Sequence, residues 1–186
     1  GIRKLDEHGS WRLRPLRRQL HAHRRTSGGG NPWGFAFGNW GEPFIKSNGT
    51  TVAELLPGMV ASEHIVGGYW GGASAIGGTK IKSMIIEIAD TPALPKDFQG
   101  DFLIAGYYAR NIARLRPSVN GAGHKLQTLA PILTSSHNAF RPVDLNTGPD
   151  GALYVADWFN PIIGHYQASL RHPDRDKKHG RIWRIT

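Results

Sequence analysis

The stretch Val143-Asp144-Leu145-Asn146-Thr147-Gly148-Pro149-Asp150-Gly151-Ala152-Leu153-Tyr154-Val155-Ala156 decides the fold. It reads as two short apolar strands around a tight turn, because Gly151 supplies positive φ and Asp150 can bond to the backbone ahead of it. Alternation in the second strand is imperfect, as expected for a strand covered on both faces. The same strand–glycine–strand pattern recurs at Pro32–Phe37, Gly41 and Phe44-Ile45, and at Met84–Ile88, Gly100 and Phe102–Ala105. Separations of 59 and 51 residues between the turn glycines exceed the roughly 40–50 residues of common propeller blades, so insertions are expected.

A second signature marks a third strand: Trp11–Pro15, Ala113–Pro117 and Arg181–Ile185 alternate apolar residues with arginine. Each reads as a strand with one wet face, and the arginines as solvated edge charges. With blade strands lettered a to d from the centre outward, the chain opens on a partial blade (1–29), followed by a blade with a long loop (30–79). A complete blade (80–135) and a blade with an insertion (136–186) then follow. The fold class is all-β, an incomplete β-propeller of about three blades, too few to close a ring of four to eight. The segment 47–79 resists placement: Thr51–Leu56 suits one helical turn, and the glycines at 67–68, 71–72 and 77–78 suit loop.

Composition excludes several functions. There is no cysteine, and so no disulfide, thiolate metal site or covalent haem attachment within these residues. No apolar run approaches the ~18 residues of a membrane span, which argues against direct membrane insertion. The net charge of +9 collects at the ends, with eight basic residues in 1–25 and six in 170–186. The body between them is neutral, so the basic stripe of a nucleic-acid binder is missing.

Propeller topology sends the d-to-a and b-to-c connections to one face, termed upper here, where ligand groups gather by analogy with other propellers. That face is expected to receive Asn31-Pro32-Trp33, the loop 47–79, residues 137–142 and the insertion 158–180, with aromatics Trp33, Trp40, Tyr69, Trp70, Trp158 and Phe159 nearby. The Asp150-Gly151 turn goes to the opposite face as a structural element. The insertion and its border hold Asp157, Asn160, His165, His172, Asp174, Asp176 and His179, a donor set suited to Ca²⁺ or a transition metal, or to a surface loop tied by its own pairs. Asp157, His165 and His179 are the candidate metal ligands. Arg141 opens a strand a near the channel mouth, where it can hold a planar anion or fasten blades by pairing with Asp144 or Asp157. His21 and His23 share a strand face but read as solvated. Ser135, His137 and Asp144 lack the Gly-x-Ser-x-Gly elbow of a hydrolase, leaving the catalytic residues unassigned.

The run Phe140–Leu145, Gly148–His165 resembles the membrane-bound dehydrogenase family of planctomycetes and related bacteria. So do His179-Gly180-Arg181-Ile182-Trp183-Arg184 and Asn31-Pro32-Trp33-Gly34. The resemblance implies a propeller like that of soluble glucose/sorbosone dehydrogenases, in a periplasmic or extracellular protein with further blades. It also implies a carbohydrate or small-alcohol substrate oxidised with pyrroloquinoline quinone and Ca²⁺, the cofactor held by Arg141, Asp144 and Asn31. In those enzymes an Arg-x-Arg-Asp pattern opens a late strand; here Val143 stands at the second arginine. The rival expectation is a non-catalytic propeller that binds polysaccharide or a partner protein through its upper-face aromatics.

Overall fold

The computed structural model describes residues 11–14, 19–22, 31–47, 49–55, 73–164 and 168–186. Strands β1 (Trp11–Arg14) and β2 (Gln19–Ala22) form an antiparallel hairpin. Strands β3 (Pro32–Phe37), β4 (Pro43–Ser47), β5 (Thr51–Leu55) and β6 (Ala73–Gly78) form one four-stranded sheet in chain order. A second follows in β7 (Met84–Ile88), β8 (Phe102–Gly106), β9 (Asn111–Asn120) and β10 (Gly123–Thr134). The third holds β11 (Pro142–Thr147), β12 (Leu153–Asp157) and β13 (Arg181–Ile185). All pairings are antiparallel, and the first strands β3, β7 and β11 lie side by side, β7 between the other two. This is the arrangement of an incomplete β-propeller, with no closed barrel.

The turn glycines behave as the repeat requires. Gly41, Gly100 and Gly151 have φ of 82°, 79° and 79°, each in the turn from the first to the second strand of its sheet. A side chain at Gly41 or Gly100 would meet nothing within 4 Å, so these glycines are there for backbone conformation. A further repeat element has no plain sequence mark. Each first strand carries a β-bulge near its start, at Pro32/Gly34, Met84/Ile86 and Pro142/Asp144. The extra residues are Trp33, Ile85 and Val143. At Gly34, a Cβ would lie 2.7 Å from the Ile85 Cα, so the approach of β3 to β7 depends on glycine there.

Two apolar seams hold the sheets together. Ala36, Phe44, Val52, Ile76, Ile86, Phe102, Ile104, Leu115 and Leu126 fill the seam between the first and second four-stranded sheets. Phe44 meets Phe102 edge-on at 4.8 Å. Leu103, Ala105, Ile112, Leu145, Leu153 and Val155 fill the next seam. Alternate residues of β8 thus serve both seams, which is why all five are buried.

Three expectations are corrected. Residues 51–55 are strand β5, not a helical turn, because they pair with both β4 and β6. The glycines at 77–78 end strand β6; those at 67–68 and 71–72 lie outside the described residues, as do Tyr69 and Trp70. The arginines of β9 are not simply solvated. Arg114 is buried; its Nε donates to Asp101 Oδ2, its Nη2 to Asp97, and its guanidinium lies 3.9 Å from the Phe98 ring centroid. Arg116 donates to both oxygens of the same buried Asp101 at 2.8 and 2.9 Å. In the third sheet Arg184 donates to Asp150 at 2.8 Å, repeating the motif of a turn aspartate gripped by a third-strand arginine. Asp150 also accepts from the Ala152 N–H and the Tyr154 hydroxyl, and the Arg184 bond leads in holding its pKa below the usual carboxylate range.

Asp101→Asn removes the charge facing Arg114 and Arg116 at a buried position. It should lower unfolding stability by about 3 kcal/mol in urea titrations. A loss below about 1 kcal/mol would mean that Asp101 is not the link between turn and third strand.

Candidate functional site

The upper end of the described sheets is built from Asn31, the β4–β5 turn, and the connections 79–83, 107–110 and 135–141, with 158–164 and 168–180 of the insertion. Trp40 is not there: it lies in the β3–β4 turn beside Gly41, at the opposite end. The connections 79–83 and 107–110 were not marked by the sequence patterns. They add Lys82, Tyr107, Tyr108 and Arg110 to the upper end.

Arg141 is the hub. It is buried just ahead of β11, and its guanidinium donates to four backbone carbonyls: Asn160 at 3.0 Å, Tyr107 at 3.2 Å, Pro161 at 3.3 Å and Phe140 at 3.4 Å. Tyr107 belongs to the neighbouring sheet and Asn160 and Pro161 to the insertion, so one side chain fastens three segments. The fastening runs through carbonyls and not through a paired carboxylate. Burial leads in lowering the Arg141 pKa, and the nearby Arg110 charge adds to it. Four of five donor hydrogens are engaged, so Arg141 offers no free fork for a quinone carboxylate. Asp144 is exposed and accepts from its neighbours Leu145 N–H and Asn146 Nδ2. Asn31 is exposed, and its carbonyl accepts from the Ser47 hydroxyl. These three residues do not form a quinone cradle.

Asp157 is buried at the end of β12. Its Oδ1 accepts the N–H groups of Arg141 (2.8 Å) and Phe159 (2.9 Å), and its Oδ2 accepts Trp183 Nε1–H at 3.1 Å. It ties β11, β12 and β13 together at their upper ends. His179 faces Asp176 at 2.8 Å, and His165 lies outside the described residues. Among the described residues no three His, Asp or Glu side chains gather as a metal-ligand group.

The insertion is tied by its own pairs. Asp176 accepts the N–H groups of Lys178 and His179 and the His179 ring, which bring its pKa down to about 2. Asn160 reaches the Asp176 carbonyl, and Arg175 donates to the carbonyls of Ile162, Ala168 and Ser169. On this frame stand two aromatic–cation groups. Phe159 stacks on His137 at 5.3 Å, with the Arg181 guanidinium 3.6 Å from its ring; Trp158 is exposed with Arg175 at 5.8 Å. Across the face, Trp33 stacks on Tyr107 at 6.5 Å and Tyr107 meets the exposed Tyr108 at 4.6 Å. Burial, with the neighbouring Tyr108, pushes the Tyr107 pKa up to about 12.

Lys46, which no sequence pattern marked, lies next to the last residue of β4 and is fully buried, and its Nζ has no hydrogen-bond partner. Burial brings its pKa down from 10.5 to about 8.

Two outcomes test this reading. Arg141→Lys keeps the charge but loses the fork, and should cost about 2 kcal/mol in urea titrations; a neutral result removes its fastening role. Lys46 binds its proton less tightly folded than unfolded, so the unfolded chain holds more protons between pH 8 and 10.5. Stability therefore rises over that window, by up to about 3 kcal/mol from this residue, and Lys46→Met should remove the rise. Equal slopes in both proteins would refute the burial of a charged amine.

No curated protein and no solved structure matches the chain. One family model matches residues 79–186, which run from the end of β6 through the second and third sheets. That is more than half of the chain, which therefore belongs to the family described as a domain of unknown function (DUF7133).

Proposed function

We propose that this propeller segment binds carbohydrate on its upper face, through the exposed rings of Tyr108 and Trp158 and the cations around them. The observation that supports it most is the pairing of aromatic faces with arginine and lysine at one end of the sheets: Arg175 by Trp158, Arg181 by Phe159, Lys82 by Trp33. Sugar rings stack their C–H faces on aromatics, while guanidinium and ammonium groups donate to hydroxyls and carboxylates. Arg141 and Asp157 serve that face by holding its loops in place.

The resemblance supports a second reading, an exported sugar or alcohol dehydrogenase of which this segment is the wall facing the substrate. Quinone chemistry would supply the electron sink, and its anchor would be a group other than Arg141.

A glycan array followed by calorimetry on the best binder tests both. Tyr108→Ala and Trp158→Ala should each weaken binding about tenfold, a loss of about 1.4 kcal/mol, with unfolding stability unchanged. Absence of binding across acidic and neutral glycans would overturn the carbohydrate reading. Dye reduction by the protein supplied with quinone, Ca²⁺ and a sugar panel would favour the dehydrogenase reading over simple binding.

A further inference from the structure

Among the described residues three buried side-chain atoms lack a hydrogen-bond partner: Trp33 Nε1, Lys46 Nζ and Asn111 Oδ1. Each such atom is costly, and native folds keep few of them. These three are not scattered. Lys46 pairs with Gly34 and Val52, and strand alternation puts it on the face of Phe44, so it points into the seam between the first and second four-stranded sheets. Asn111 opens β9 opposite Gly106 and shares the face of Ala113 and Leu115, which line the same seam. Trp33, the bulge residue of β3, crosses that seam to stack on Tyr107. Positions 33, 46 and 111 all lie at the upper ends of their strands. One end of one seam therefore holds two unpaired donors, one of them cationic, and one unpaired acceptor.

We infer that the upper end of this seam is a binding site for a small hydroxycarboxylate, distinct from the glycan-facing surface. The carboxylate accepts from the Lys46 ammonium and the Trp33 indole, and the ligand hydroxyl donates to Asn111 Oδ1. A bare carboxylate leaves Asn111 unpaired, and a neutral diol leaves the ammonium without a counter-charge. The lowered pKa of Lys46 accords with a site that has spent solvation in advance, which an anion restores.

Thermal unfolding of the full chain with glycolate, acetate or ethylene glycol at pH 7 tests this. Glycolate at one hundred times its Kd should raise Tm by about 5 °C or more, and the two partial mimics should do markedly less. Lys46→Met should remove the glycolate effect. In parallel, glycolate should move one of the six indole N–H signals in ¹H–¹⁵N spectra of the wild-type chain, and this arm decides the matter if the variant does not fold. Three results would overturn the site: no Tm shift or indole signal movement with glycolate, equal shifts from all three probes, or an undiminished shift in Lys46→Met. The first would mean that solvent alone serves the three groups. Lys46 sits inside the seam and Tyr108 and Trp158 on the surface, so either proposal can fail without the other.

Discussion

The middle sheet of this chain, β7–β10, is apolar on both faces, and that single constraint arranges the rest. A strand such as β8, with all five residues buried, needs a neighbouring sheet on each side. Sheets stacked this way must splay about a shared centre, because twist prevents them from stacking flat. The first strands then crowd together, and the crowding is visible where Gly34 meets Ile85. The bulges at the start of β3, β7 and β11 re-aim each strand as it enters that crowded region.

Polar groups are divided between the two ends by the same logic. At the end with the glycine turns, aspartates stand next to glycine and are gripped by third-strand arginines, as in Asp101 with Arg116 and Asp150 with Arg184. These pairs close hairpins and are complete in themselves. At the other end the connections come from different sheets and must be fastened to one another. Arg141 does this with a fork aimed at four carbonyls, and Asp157 does it with two oxygens that accept from three elements.

What was legible in the sequence follows from what pattern can encode. The turn glycines and first strands were readable because positive φ and period-2 apolarity leave marks on residue type. Strands β5 and β6 were not. Glu54-Leu55 suits a helix as well as a strand, and Ala73–Gly78 is mostly small; their strand character comes from mutual pairing and from Ile76 reaching the seam. Arg114 looked solvated because alternation reports a face and not what covers it, here Asp101 in the turn that leads into the neighbouring strand. For Arg141 both anion binding and blade fastening stayed open, since backbone carbonyls have no signature in residue type. Trp40 could have been placed correctly from Gly41 beside it, which already marked that turn.

The distribution of backbone strain separates the two ends further. The turns from first to second strand take positive φ through glycine, at little cost. The upper end takes it through Gly49, Gly77 and Gly78 as well, but there Ile85, Arg110 and Phe159 also adopt it, with φ of 33°, 56° and 50°, and none of these three is at ease there. Strain of order 1–3 kcal/mol per residue persists only where the surroundings over-determine the conformation. Here those surroundings are the bulge of β7, the Tyr107–Arg110 connection and the Asp157 grip on Phe159 N–H. The same end carries the unpaired Trp33, Lys46 and Asn111 atoms. A purely structural end would be expected to relax both features, with glycine at the strained positions and apolar residues at the unpaired ones. Their joint retention at one end is the reason both proposed binding sites are placed at that end and not at the glycine-turn end.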